Sequence, residues 1–220
     1  FCDGQNLSHM PVVQDHKRAY ENDTGPNTGG MGTYSDSDHK LPFLEDSHIK
    51  LAQKINEQTA KALNQKFGEG YKGILYGGFI ATNAGVQLIE YNARFGDPEA
   101  MNVLSILDTD FIDICESIVA GNLNMLDIVF KNLATVCKYA VPDGYPDNPI
   151  KGEEVDISNV KNKDLMFYAS VERKKEKLIQ IGSRTIAIVG HGDSIWEAEQ
   201  IAEKNISKVK GPLFHRKDIG

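Results

Sequence analysis

Ile89-Glu90-Tyr91-Asn92-Ala93-Arg94-Phe95-Gly96-Asp97-Pro98-Glu99 is the stretch around which the rest of the chain is organised. As the end of a strand it puts Glu90 and Asn92 on one face, because strand side chains alternate. A carboxylate beside a carboxamide oxygen suits a hard cation such as Mg²⁺, which prefers oxygen ligands and keeps water or phosphate oxygens as well. Downstream, Asp97 is expected to N-cap a helix with Pro98 and Glu99 in its first turn, where proline's missing N–H costs nothing.

Upstream, residues 73–82 and 86–92 read as two strands of a hairpin, with Asn83-Ala84-Gly85 as the loop and glycine at the left-handed position. On the second strand Val86, Leu88, Glu90 and Asn92 are expected to share a face. Two apolar residues then lead to two oxygen ligands, as a nucleotide with its phosphates and Mg²⁺ would need. The same pattern also fits the polar end of an edge strand. Asp46 or Ser47 caps a helix predicted to run to about Phe67, with Ile49, Ala52, Ile55, Thr59, Ala62 and Leu63 inward and Gly68 as the stop. That helix is read as scaffold.

Residues 98–107 are helix-compatible, and Phe111, Ile114, Cys115 and Ile118 predict a second helix stopped by Gly121. Beyond about residue 132 the pattern becomes short strands, at 133–141, 154–157, 165–171, 177–181 and 185–189, followed by one helix over 194–209. A domain boundary is expected near 125–133.

Near the start, residues 7–13 read as a short strand delivering Gln14-Asp15-His16-Lys17-Arg18. That run is either a phosphate or carboxylate clamp or a solvated charge run. Gly25, Gly29, Gly30 and Gly32 follow within the segment 24–34. Their freedom at positive φ permits an anion-binding nest of successive N–H groups, and an irregular loop is the other reading. Neither the P-loop nor the dinucleotide fingerprint is present.

At 220 residues with 40% hydrophobic content, the chain can bury one full core or two modest ones. A formal net charge of −7 disfavours general attraction to nucleic acid or anionic membrane, so anion binding must be local. Cys2, Cys115 and Cys137 are odd in number and lack CxxC spacing, which points to a reducing compartment and to buried small hydrophobes. No apolar run spans a bilayer and no signal pattern leads the chain, so cytoplasm is the expectation. Phe1-Cys2-Asp3-Gly4 reads as a strand end entering a tight turn, as if cut inside a domain.

Gln14 to Arg18, Gly25 to Gly32, Glu90-Tyr91-Asn92, Arg94 to Met101 and Arg216-Lys217-Asp218-Ile219-Gly220, in that order, resemble the glycinamide ribonucleotide synthetase (phosphoribosylamine–glycine ligase) family of ATP-grasp enzymes. QDHKR, GPNTGGMG and RFGDPEAM are specific in combination, and the resemblance weakens only between about 145 and 183. It implies an α+β fold. Residues 1–130 are the C-terminal part of an ATP-grasp module, mostly antiparallel sheet with helices. Residues 131–220 are a small β-rich C-terminal domain with one helix.

The implied reaction joins glycine to 5-phosphoribosylamine at the expense of ATP, through glycyl phosphate, in de novo purine synthesis. The resemblance assigns Mg²⁺ or Mn²⁺ to Glu90 and Asn92, and the nucleotide to Leu88, Glu90 and Asn92. Catalytic roles fall to Arg94, for an anionic group or the acyl phosphate, and Asp97, for a substrate ammonium or hydroxyl. Substrate contacts fall to Asp15, His16, Lys17, Arg18, Asn27, Thr28, Gly29, Gly30, Met31, Gly96, Pro98 and Glu99. Many ATP-grasp proteins place another acidic ligand upstream of the Glu-x-Asn pair, where this chain has Tyr76-Gly77-Gly78-Phe79-Ile80. The family's N-terminal domain and lid are missing from the chain, so it is expected to be inactive alone. The alternatives are another ATP-grasp carboxylate–amine ligase or carboxylase, or a non-catalytic binding fragment.

Overall fold

The computed structural model describes residues 1–220. In chain order these form β1 (Cys2–Asp3), β2 (Gln14–Asp15), β3 (Arg18–Tyr20), β4 (Thr24–Asn27), β5 (Gly32–Ser35) and α1 (Asp46–Phe67). Next come β6 (Lys72–Gly73), β7 (Tyr76–Thr82), β8 (Gly85–Asn92), α2 (Glu99–Ser105), α3 (Phe111–Ala120) and a 3₁₀ turn at Leu123–Met125. The chain ends with β9 (Ala134–Pro142), β10 (Glu154–Val155), β11 (Met166–Tyr168), β12 (Val171–Lys174), β13 (Lys177–Gln180), β14 (Ile186–Gly192), α4 (Ile195–Ile206) and β15 (Leu213–Phe214). No helix is long and apolar enough to cross a membrane. The fold is mixed, with four α-helices and antiparallel sheets, as expected.

Two compact units divide the chain: residues 1–11, 41–96 and 106–131, and residues 12–40, 97–105 and 132–220. In the first, β1 pairs with β6 and β7 with β8, both antiparallel. Phe1, Ile114, Ile118 and Leu123 form its core, with Phe95 packed against them. Asp3, 1% exposed, fastens the entry of the chain by accepting from the N–H groups of Gln5, Asn6 and Leu123. The buried carboxylate is thereby satisfied, as is the buried N–H of Leu123.

Helix α1 has the predicted extent, and Gly68 ends it by donating its N–H to Asn64 O at 2.7 Å. Its N-cap is Glu45, one residue before the expected Asp46. The inward face keeps Thr59 but is partly shifted from the predicted stripe. Asn56, Thr59 and Asn64 bond inward, Ala60 is buried and Ala62 is exposed. Helix α3 follows its signals, with the Asp110 side chain accepting from Ile112 N–H and Gly121 left-handed at φ 74°. Ile114 and Ile118 are buried, but Cys115 faces outward, so only Cys2 and Cys137 are the expected buried thiols.

Residues 7–13 are not the expected strand. Apart from an isolated bridge between Leu7 and Cys2 they stay out of any ladder. Pro11 has no N–H to donate to one.

In the second unit one antiparallel sheet runs in the order β11-β14-β9-β5-β2, and β15 adds to the end of β9. Every residue of β9 is buried. Alternation along β9 turns Lys138 toward α4, where it meets Glu199 and Glu203, and turns Thr135 and Tyr139 toward Asn102 of α2 and Asp97. Helix α4 lies close on β14 because Gly190 has no side chain: a Cβ there would fall 2.0 Å from Ala198 O. Its start matches the predicted 194 within a residue, with Ser194 as the N-cap whose Oγ accepts from Glu197 N–H.

A three-stranded sheet, β10-β13-β12, and the β3–β4 hairpin complete the unit. The stretch read as one strand at 165–171 is two, β11 in the large sheet and β12 in the small one. The glycine-rich segment is likewise not one irregular loop. Thr24–Asn27 pairs with Arg18–Tyr20, Gly32–Ser35 joins the large sheet, and residues 28–31 connect them.

Candidate active site

The oxygen pair forms as the spacing predicts. Asn92 Nδ2 donates to Glu90 Oε1 at 3.2 Å, so the carboxylate and carboxamide lie side by side on exposed strand surface. Their apolar floor does not. Leu88 pairs with Phe79 and Glu90 with Gly78, leaving Ile89 without a partner. This bulge shifts the alternation by one residue. Val86 and Leu88 therefore share a face with Tyr91, whose hydroxyl bonds Asn56 and Thr59 of α1, whereas Glu90 and Asn92 lie on the other face. The expectation of one face through Val86, Leu88, Glu90 and Asn92 is corrected accordingly.

Glu90 and Asn92 fit part of a divalent-cation site. They offer hard oxygen donors, and no group of three or more His, Cys, Asp or Glu side chains in the structure could hold a metal alone. Such a pair suits Mg²⁺, which keeps waters and phosphate oxygens, better than a cage made wholly of protein. Arg94, two residues on, is exposed and donates one bond, to its neighbour Phe95 O at 2.7 Å. Much of its fork is free for an anion. Gly96 ends this segment.

The second unit gathers the other predicted residues. Gly30 has φ 114°, and a Cβ on it would fall 2.6 Å from Pro98 Cδ and 3.0 Å from Asp15 Oδ1. Only glycine allows that approach. Glu99 is buried as the first residue of α2. Asp15 is mostly buried, and neither of its oxygens has a hydrogen-bond donor in bonding geometry, although the Lys17 ammonium sits against Oδ2. Burial, with the charge of Glu99, pushes the Asp15 carboxyl up to about 6.

The sign of that shift makes a prediction. A carboxyl raised from 3.8 to about 6 lends stability below pH 3.8 that is lost as pH rises through 6. Asp15→Asn is therefore expected to raise stability at pH 7 by about 2 kcal/mol and to change it little at pH 3.5, checked by urea unfolding at both values. A destabilised variant at pH 7 would contradict it.

Burial and the nearby Arg216 guanidinium hold His16 below the usual imidazole range. Lys17 is half exposed, and Arg18 is exposed with Nη1 on Gly25 O at 2.7 Å. Asn27 ends β4 beside them.

Of the two readings of the segment 24–34, the anion nest does not form at residues 28–31, because their N–H groups are used internally. Thr28 N–H goes to Lys17 O at 2.7 Å, Gly29 N–H to Tyr145 Oη at 3.0 Å, Gly30 N–H to Thr28 Oγ1 at 3.0 Å and Met31 N–H to His16 O at 2.9 Å. Met31 itself is fully buried core.

Asp97 is not the helix cap either. α2 begins at Glu99, and the first backbone bond of this turn runs from Met101 N–H to Pro98 O at 3.0 Å. The Asp97 carboxylate instead accepts from Arg184 Nη2 at 2.8 Å and Tyr139 Oη at 2.9 Å. Sequence reasoning missed Arg184, Tyr139 and Tyr145. All three are isolated aromatic or basic residues without a local motif, and only sheet pairing brings them here.

Residues 1–100 match the family model for the phosphoribosylglycinamide synthetase ATP-grasp (A) domain, and residues 135–220 match the model for its C domain. The phosphoribosylamine–glycine ligase of Methanocaldococcus jannaschii is 52% identical over all of this chain and 50% of its own length. That of Methanosarcina barkeri is 51% identical over all of this chain and 51% of its own. The chain thus spans about half the length of the curated relatives it matches. The crystal structure of phosphoribosylamine–glycine ligase from Thermotoga maritima covers 99% of the chain, using 53% of its own, with TM-score 0.86 and 29% identity. A biotin carboxylase domain of a single-chain bacterial carboxylase shares the fold, with TM-score 0.57 and 13% identity, covering all of this chain and 47% of its own.

Proposed function

Because the chain belongs to the phosphoribosylglycinamide synthetase family, we propose that it forms part of an ATP-dependent ligase joining glycine to 5-phosphoribosylamine. In this reading the glycine carboxylate takes the terminal phosphoryl group of ATP and ADP leaves. The amine of 5-phosphoribosylamine then attacks the glycyl carbonyl carbon, phosphate departs, and the nitrogen loses a proton to give glycinamide ribonucleotide. The carrying observation is the Glu90–Asn92 oxygen pair beside an arginine with no carboxylate partner.

A bound Mg²⁺ or Mn²⁺ supplies charge neutralisation and alignment of phosphate oxygens, which phosphoryl transfer needs more than covalent help. Glu90 and Asn92 hold it. Arg94 presents its fork to the acyl phosphate. On the acceptor side, Asp15 and Glu99 offer negative charge to an amine, and Lys17 and Arg18 offer positive charge to a phosphate. His16, Asn27 to Gly30, Gly96 and Pro98 shape the surroundings. Family matches over 1–100 and 135–220 support an ATP-grasp part at 1–130 and a small C-terminal domain at 131–220. Three free cysteines support a cytoplasmic setting.

In the full-length protein, Glu90→Ala and Asn92→Ala are expected to raise the Mg²⁺ concentration needed for half-maximal turnover about 10- to 100-fold, since each removes one of few protein ligands. Unchanged Mg²⁺ dependence in both would leave the metal pair without support. ADP release by the unmodified protein with bicarbonate, and none with glycine plus 5-phosphoribosylamine, would move the reading to a carboxylase.

A further inference from the structure

Arg184 lies in the turn between β13 and β14, far in sequence from the glycine-rich segment and from Asp97, yet its guanidinium bonds to both. Nη1 donates to three backbone carbonyls: Gly29 O at 3.0 Å, Gly30 O at 3.2 Å and Asp97 O at 3.2 Å. Nη2 donates to Asp97 Oδ2 at 2.8 Å. The guanidinium carbon stands 4.5 Å from the Tyr139 ring centroid, a cation–π distance, and Tyr139 Oη donates to the other Asp97 oxygen. Burial pushes the Tyr139 phenol well above its ordinary range, so it remains a donor to Asp97. Only 14% of the Arg184 side chain is exposed.

We propose that Arg184 is a positioning residue that acts through Asp97 to fix the Gly29–Gly30 turn against the Asp97–Pro98 turn. The inference rests on the ligase reading above. No lysine could replace it in full, since one ammonium cannot reach several carbonyls and a carboxylate in a planar fork while lying on an aromatic face. It also changes the place of Asp97. Both oxygens of that carboxylate are already engaged by protein, although half of its side chain is open. Holding the turn is then its task, in place of receiving the substrate ammonium.

The experiment is a double-mutant cycle on the full-length protein with Arg184→Gln, Asp97→Asn and the pair. Activity alone is not enough, because a loosened fold lowers kcat by lowering the active fraction. The readout is therefore the KM for each substrate. Each single variant is expected to raise KM for glycine or 5-phosphoribosylamine about tenfold with KM for ATP unchanged, and the double variant to be no worse than either. Single effects that multiply in the double variant, or a KM that moves for neither acceptor, would overturn the proposal.

Amide hydrogen exchange gives a second readout that needs no turnover. The Gly29 and Gly30 amides should exchange at least about tenfold faster in Arg184→Gln while those of β9 keep their protection. Unchanged exchange at Gly29 and Gly30 would likewise overturn it. Absence of ligase turnover in the unmodified protein would instead count against the ligase reading, and the exchange comparison would still decide the structural part.

Discussion

Lys138→Ala is expected to destabilise the protein by about 3–5 kcal/mol at pH 7, the usual cost of removing one partner from a buried ion pair. Lys138 has no exposed side-chain surface, and its three ammonium hydrogens are accounted for: Glu199 Oε1 at 2.6 Å, Glu203 Oε2 at 2.9 Å and Lys217 O at 2.9 Å. Glu199 and Glu203 lie one helical turn apart on α4, so without the ammonium two like charges sit side by side against the buried strand β9. His215 Nε2, 3.1 Å from Glu203 Oε1, is the other cationic candidate in the cluster.

The dependence on pH follows from Glu203. Burial alone would raise its carboxyl, but bonds from Lys138 and His215 outweigh that and hold it below the usual range. A lowered carboxyl contributes stability above its unfolded value that is lost as pH falls through the folded one. The gap between parent and variant should thus be widest at neutral pH and narrow below about pH 4. Combining Lys138→Met with Glu199→Gln and Glu203→Gln should recover most of the loss, since replacing a whole buried cluster is often close to neutral. Urea midpoints at pH 7 and pH 3.5 check both statements. Equal midpoints for Lys138→Ala and the parent at pH 7 would refute them.

What could be read from the sequence divides by range. Helices α3 and α4 carry their own ends in Asp110, Gly121 and Ser194, all of which act on groups within a few residues; α3 stops at Gly121 as predicted, whereas α4 starts next to the predicted 194 but ends at Ile206, short of the predicted 209. The Glu90–Asn92 pair is equally local. The bulge at Ile89 is not, because it exists only relative to β7 and no glycine marks it. Residues 133–141 read as a strand, but its central position between β14 and β5 depends on partners at 186–192 and 32–35.

The glycine-rich segment was misjudged for the same reason. Glycine count shows where N–H groups could be offered to a ligand. It does not show that Tyr145, His16 and Lys17 take them first. Asp97 before proline carried a plausible cap signal, and Arg184, remote in sequence, claims its carboxylate. The candidate site was thus legible in residue type and much less so in role.

Arg216→Ala should destabilise the protein by about 2–3 kcal/mol and, more tellingly, raise the His16 pKa. Arg216 is 2% exposed and spends its fork on four bonds: Nε and Nη2 to Asp218 at 2.8 and 2.7 Å, and Nη1 to Asp23 at 2.8 Å and Arg18 O at 3.1 Å. Asp218 in turn accepts from Asn22 N–H at 2.9 Å, so the chain's last residues fasten the β3–β4 hairpin that follows His16 and Lys17. Asp23 and Asp218 are 67% and 30% exposed, and water can reach them once the arginine is gone, so the loss is smaller than for Lys138.

Two causes depress His16, burial first and the Arg216 charge second, while Asp23 and Asp218 oppose them. Removing the guanidinium deletes one depressing charge and leaves both opposing ones. A His16 held low lends stability above the unfolded imidazole value that is lost as pH falls through the folded one. Arg216→Ala should therefore narrow that acid-side loss as well as weaken the hairpin. Arg216→Lys separates the two, since it keeps the charge and loses the planar fork: stability should fall while the His16 titration stays low. Following the His16 ring proton by NMR across pH 4–8 reads this directly, and an unmoved titration in Arg216→Ala would mean that the tail fixes the hairpin by shape alone.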